Sequence, residues 1–102
     1  ANMQPQGHMQ TLVRMLDYGQ NPQAACDAPR WRYNAGLEIN VEASLNPDTA
    51  NGLQARGHQV GVINDSYQDF GAGQFIWRAG DPKVEGYVVA SDARRDGLAA
   101  GF

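Results

Sequence analysis

The sequence predicts an α+β fold in a single domain, residues 1–102, and three patterns predict it. Met9, Leu12, Val13 and Leu16 recur at i, i+3, i+4 and i+7, the spacing of one helix face, while Gln10, Arg14 and Asp17 point elsewhere. Leu37, Ile39 and Val41 alternate with Glu38, Asn40 and Glu42, the period of two that marks a strand with one buried and one wet face. Two apolar runs, residues 74–79 and 84–90, flank Gly80-Asp81-Pro82 and read as an antiparallel pair joined by a short turn. Helices come early and strands fill the second half, without the regular alternation of a doubly wound parallel sheet.

Each element has its local cause. Pro5 is tolerated in a first helical turn, where its missing N–H has no partner to lose, so a helix starts there and carries the apolar face of Met9 to Leu16. That face needs something to pack on. Gly19 suits the left-handed position after a helix, Asn21 is a good N-cap and Pro22 a good first residue for a helix of one to two turns. Pro29 disfavours helix for Ala28 and releases the chain into an extended segment, which Asn34-Ala35-Gly36 turns into the strand of Leu37, Ile39 and Val41. Asn46, Pro47 and Asp48 then cap, open and charge the start of a helix reaching about Arg56, with Ala50 and Leu53 as its apolar side and Gly57 to end it. Gln59–Ile63 reads as a strand, a polar loop follows through Asn64, Asp65, Ser66 and Asp69, and residues 98–102 read as the last strand.

Composition narrows the function. Leu, Ile, Val and Phe make up 19 of the 102 residues, beside 12 Gly and a mean hydropathy of −0.51, which suggests a piece that leans on a larger body. The net charge of −3 argues against a nucleic-acid partner, because phosphate backbones are bound by accumulated Lys and Arg. No run reaches the roughly 18 apolar residues that span a bilayer, so no membrane partner is expected. Cys26 is the single cysteine and excludes an internal disulfide.

The chemistry-bearing residues favour structural roles. His8, His58 and Cys26 lie at unrelated spacings, so no metal site is expected. Thr11 and Thr49 sit inside predicted helices, and Ser91-Asp92 has no His placed by local logic to complete a triad. Gly71-Ala72-Gly73 lacks the Lys and helix of a phosphate loop and reads as a strand bend. Asp92-Ala93-Arg94-Arg95-Asp96-Gly97 is the most charge-dense loop; two acids and two guanidinium groups can pair there as a clasp holding the chain end, or grip an acidic substrate, and the clasp is the preferred reading. Trp31, Tyr33, Tyr67, Phe70, Phe75, Trp77 and Tyr87 lack a basic groove around them and read mostly as core and subunit contact.

Gln4-Pro5-Gln6-Gly7-His8-x-Gln10, then Asn21-Pro22-Gln23-Ala24-Ala25 and Asp27-Ala28-Pro29-Arg30-Trp31, resemble the late part of the small subunit of gamma-glutamyltransferases. The run from Ser91 to Phe102 resembles the family's chain end, with Ala93 where the family usually has Pro and Phe102 where it commonly has Tyr. Gly57-His58-Gln59-Val60 is similar too. The resemblance implies the N-terminal nucleophile hydrolase fold, a four-layer sandwich of two sheets covered by helices. It implies that residues 1–102 are the C-terminal part of the small subunit, with the nucleophilic Thr, the substrate-gripping Ser pair and the oxyanion-binding Gly-Gly all upstream. On that reading this chain holds no catalytic residue and no cofactor, and Asn2, Met3 and Gln4 stand nearest the site.

The parent would move the gamma-glutamyl group of glutathione or a related amide onto Thr and then to water or an amino acid. Its partners would be the upstream part of the small subunit and the large subunit of the same precursor, in the bacterial periplasm or cytoplasm. The rivals are a relative that cleaves another amide, such as a cephalosporin side chain, and a catalytically silent homologue acting as an assembly module. The isolated chain is expected to be inactive and to self-associate.

Overall fold

The computed structural model describes residues 3–65, 69–81, 83–95 and 97–100. In chain order they form α1 (Gln4–Leu16), α2 (Pro22–Asp27), β1 (Trp31–Ala35), β2 (Glu38–Glu42), α3 (Pro47–Ala55), β3 (Gln59–Ile63), β4 (Gln74–Arg78) and β5 (Tyr87–Ser91). The class is α+β, as the sequence predicts. The caps are also those expected: Asn21 Oδ1 accepts from the Ala24 N–H at 2.8 Å and Asn46 Oδ1 from the Asp48 N–H at 2.9 Å. Gly19 and Gly57 follow α1 and α3 at φ of 68° and 97°, where a side chain would be strained.

The described residues fall into two compact units, with α1 contributing up to Gln10 to the first and from Thr11 to the second. The first unit adds Pro29–Gly71 and contains a mixed sheet in the order β1-β2-β3. β1 runs antiparallel to β2, pairing Trp31 with Val41 and Tyr33 with Ile39, and its register shifts between Tyr33 and Ala35. The segment expected only to be extended is therefore a paired strand that includes Asn34 and Ala35. β2 and β3 are parallel, from Glu38↔Gln59 to Glu42↔Ile63, because α3 carries the chain back to the end where β2 began. Met3, Ile39, Val41 and Phe70 are its buried apolar residues.

The second unit holds α2 and an antiparallel pair of strands, β4 and β5, in register from Gln74↔Ser91 to Arg78↔Tyr87. Ala25, Cys26 and Ala90 are buried there. Between the strands, Asp81 organises the turn: its carboxylate accepts from the Lys83 N–H and its carbonyl from the N–H groups of Val84 and Glu85. Pro82, part of the expected turn, lies outside the described residues.

Several expectations need correcting. Gln10 of α1, expected to point away from the packed side, is buried together with Thr11, whereas the apolar stripe is exposed, Leu12 by 50% and Leu16 by 65%, as expected of a face that awaits a partner. The buried positions of the helix carry an amide and a hydroxyl, groups that need hydrogen bonds, rather than hydrocarbon alone. The strand of Leu37, Ile39 and Val41 starts one residue later, leaving Leu37 exposed, and Glu42, expected to be wet, is buried. No strand forms over residues 98–100, and 101–102 lie outside the described residues. Of the aromatic set Phe70 is fully buried, in the core role expected of it, while Tyr33, Trp77 and Tyr87 are exposed in this chain, where the expected subunit contacts would meet them, and Tyr67 lies outside the described residues.

Candidate functional site

The residues expected nearest the site stand where α1 begins. Asn2 lies outside the described residues; Met3 is buried, and its carbonyl accepts from the Gly7 N–H at 2.8 Å in the first helical turn; Gln4 is exposed. Gly71 lies next to Met3, and with Arg30 and Phe70 it forms what we term the floor. Arg30, buried, donates Nη1 to the Phe70 carbonyl at 2.8 Å, and a Cβ on Gly71 would stand 3.8 Å from Arg30 Nη1 and 3.9 Å from Met3 Cγ. A buried guanidinium bonded to a main-chain carbonyl is held in one place, and so is the loop it holds.

Two glutamines anchor this end of the helix to β1. Gln10 receives the Trp31 N–H on Oε1 at 3.1 Å and donates Nε2 to the Trp31 carbonyl at 2.7 Å. Gln6 does the same for Tyr33, at 2.7 Å and 3.3 Å. The geometry is a match of two periods. Four helical residues rise about 6 Å, and two strand residues advance about 6.6 Å, so amides at i and i+4 meet alternate residues of an extended edge. Because the side-chain amide carries one donor and one acceptor side by side, it stands in for the peptide of a neighbouring strand. In the second unit Gln23 grips Ser91 in the same way, at 3.2 Å and 2.9 Å.

The charged loop is a clasp in which Arg94 carries the weight. Arg94 Nη1 lies 3.0 Å from Asp92 Oδ1, with side-chain exposures of 7% and 0%. Nη1 also donates to the Cys26 carbonyl at 2.8 Å and Nη2 to the Ala28 carbonyl at 2.9 Å, so the guanidinium binds the open C-terminal end of α2. Asp92 Oδ2 accepts from the Gly73 N–H at 2.8 Å, which makes the predicted bend part of the clasp. Arg95 donates Nη1 to the Arg94 carbonyl at 3.1 Å, and Asp96 lies outside the described residues.

The remaining candidates are not brought together. His8 is exposed, His58 half-buried after α3, Thr11 buried in mid-helix and Thr49 exposed. Among the described residues no group of three His, Cys, Asp or Glu side chains could hold a metal ion, and no helix is long and apolar enough to cross a membrane. What the chain offers chemically is positioning. The glutamine clamps and the Arg30 floor escaped the sequence reading, although Gln6, Gln10 and Gln23 stand in the very motifs that carry the resemblance.

Comparison with known proteins agrees with those motifs. The Gamma-glutamyltranspeptidase family profile matches residues 1–102. The Glutathione hydrolase-like YwrD proenzyme of Bacillus subtilis (strain 168) is 36% identical over 107 residues, covering 97% of this chain and 19% of that protein. The Glutathione hydrolase proenzyme of Escherichia coli (strain K12) is 34% identical over 96 residues, covering 92% of this chain and 15% of that protein. Among solved structures, the cephalosporin acylase from Bacillus halodurans superposes with a TM-score of 0.86 at 42% identity, over 96% of this chain and 18% of that one. The chain thus spans less than a fifth of the length of the curated relatives it matches. Its fold is that of the N-terminal nucleophile hydrolases, and the chain belongs to the gamma-glutamyltranspeptidase family.

Proposed function

We propose that this chain is the non-catalytic C-terminal part of a gamma-glutamyltransferase-like enzyme that transfers or hydrolyses the gamma-glutamyl group of glutathione or related amides. The observation that carries the reading is the family match along the whole chain, together with two relatives named as glutathione hydrolases. In the proposed reaction a Thr outside this chain attacks the amide carbon, the C–N bond breaks and the amine leaves with a proton. Water or an amino acid then takes the acyl group from the Thr oxygen. Asn2, Met3 and Gln4 border that site, and the Arg30 floor with the Gln6 and Gln10 clamps holds the helix that carries Met3 and Gln4. Residues 1–102 act as one domain within the enzyme. The upstream part of the small subunit and the large subunit cover the apolar stripe of α1, and without them the isolated chain self-associates.

A second reading is favoured by the likeness to the cephalosporin acylase at 42% identity: the same cleavage on a cephalosporin side-chain amide. The test is to express the complete precursor and compare its kcat/KM on gamma-glutamyl-p-nitroanilide and on a cephalosporin side-chain amide, with the 102-residue chain assayed beside it. Gamma-glutamyl turnover by the precursor and none by the chain is expected. Preference for the cephalosporin amide selects the second reading, and turnover of neither makes the protein a silent assembly module. Turnover by clean 102-residue chain ends the non-catalytic assignment.

A further inference from the structure

We propose that the outer edge of β3 is the strand-docking edge of the first unit, and that its occupant is an extended strand from the rest of the precursor. The proposal rests on the reading of this chain as part of a longer enzyme. β3 is the last strand of the sheet, and no described strand pairs with its far side. The Gln59 N–H bonds the Leu37 carbonyl at 2.9 Å and the Ala43 N–H bonds the Ile63 carbonyl at 3.1 Å, so Gln59 and Ile63 turn their backbone groups toward β2. Alternation then turns the N–H and C=O of Val60 and Val62 outward.

The strand itself carries no guard. Gln59-Val60-Gly61-Val62-Ile63 has no charge, no Pro and an unbroken register with β2, and Val62 is 59% exposed. Folded proteins guard such edges with charge, Pro, bulges or a covering element. The opposite edge of the same sheet is guarded in two ways, since β1 has a register shift and its Trp31 and Tyr33 backbone groups are taken by Gln10 and Gln6. A sheet closed at one edge by dedicated side chains and open at the other, along an apolar strand, has a strand partner for the open one. The curated relatives are more than five times as long as the part matched here, so the rest of the precursor supplies that strand. Its side chains alternate apolar and polar to follow Val60 and Val62.

The test is residue-resolved hydrogen exchange on the complete precursor, with the 102-residue chain at low concentration as reference, beside a Val62→Pro precursor. The outward Val62 N–H has no role in the β2 ladder, so Pro removes one docking donor and leaves that ladder intact. Expected are slowing of about 100-fold or more at the Val60 and Val62 amides in the precursor and impaired maturation of Val62→Pro. Equally fast exchange in precursor and chain, or normal maturation of Val62→Pro, overturns the proposal. So does protection of the Val60 and Val62 amides in the dilute isolated chain as strong as in the precursor, which would mean that the edge is covered from within this chain. Protected amides without gamma-glutamyl turnover overturn only the function proposed above; turnover with unprotected amides overturns only the docking edge.

Discussion

Replacing Arg94 with Ala tests how much of the second unit depends on one ion pair. The Arg94 guanidinium lies 3.0 and 3.1 Å from the two oxygens of a fully buried Asp92 carboxylate and also binds the carbonyls of Cys26 and Ala28. Truncation removes the countercharge from a carboxylate that cannot move into water, and withdraws two donors from the end of α2. Cutting one partner of a buried pair costs on the order of 3–5 kcal/mol, whereas an exposed pair costs well under about 1 kcal/mol. Arg94→Lys keeps the charge but not the planar fork that reaches both carbonyls, and costs about 1–2 kcal/mol.

Urea unfolding of the 102-residue chain reads these losses. With a slope of roughly 1.5 kcal/mol per M, a loss of about 3 kcal/mol lowers the midpoint by about 2 M. If these arginines grip the substrate carboxylate instead, Arg94→Ala leaves the midpoint unchanged and raises KM of the precursor. That second pattern would refute the clasp. Arg95→Ala, which withdraws a donor from the Arg94 carbonyl, is expected to cost less than Arg94→Ala in the same titration.

Other expectations follow from single contacts. Gln10→Ala removes both bonds to Trp31 and should cost about 2 kcal/mol in urea unfolding; a loss below about 0.5 kcal/mol would mean that water replaces the amide without penalty. Asn21→Ala removes the α2 cap and should cost about 1 kcal/mol, read by the same titration. Gly61→Ala places a Cβ 2.7 Å from Asn40 Oδ1, so its gain in strand propensity is cancelled while Asn40 is present and appears, as about 0.5–1 kcal/mol, when Asn40→Ala is made as well; additive behaviour of the two changes would contradict the contact.

The fold was legible in the sequence wherever a local rule decides the outcome. Asn21 and Asn46 cap, Gly19 and Gly57 stop helices, and the apolar runs around Gly80 pair in antiparallel register, because caps, left-handed glycines and turns are set by neighbours in the chain. The clasp was legible as a charge cluster, yet spacing could not show that the Arg94 guanidinium ties the Asp92 carboxylate to the end of α2, since those contacts are made with α2 and Gly73 from far along the chain. Glu42 was misplaced for a related reason. Alternation assigns it to the wet face, but alternation sees one strand at a time, and burial of this residue depends on what the folded unit lays over the strand end.

The instructive failure is α1, where Gln10 is expected to point away from the packed side and the structure buries it together with Thr11. Hydrophobic periodicity assumes that a helix meets the face of a sheet, where side chains present hydrocarbon. The first turns of α1 meet the edge of β1, where the surface consists of N–H and C=O groups, and hydrocarbon against such an edge would leave each of them without a partner at a cost of about 1–3 kcal/mol. A side-chain amide is the residue type that satisfies one donor and one acceptor together, and Gln6 and Gln10 do so at a spacing that fits both helix and strand. The signal was present as Gln-x-x-x-Gln on a helix followed by an extended segment, but it is a pattern of donors and acceptors, to which a hydropathy period is blind. The same logic explains Gln23 on Ser91 and why a short helix with little apolar surface can still be held firmly. Helices that border strand edges should therefore be read for amides before they are read for hydrocarbon.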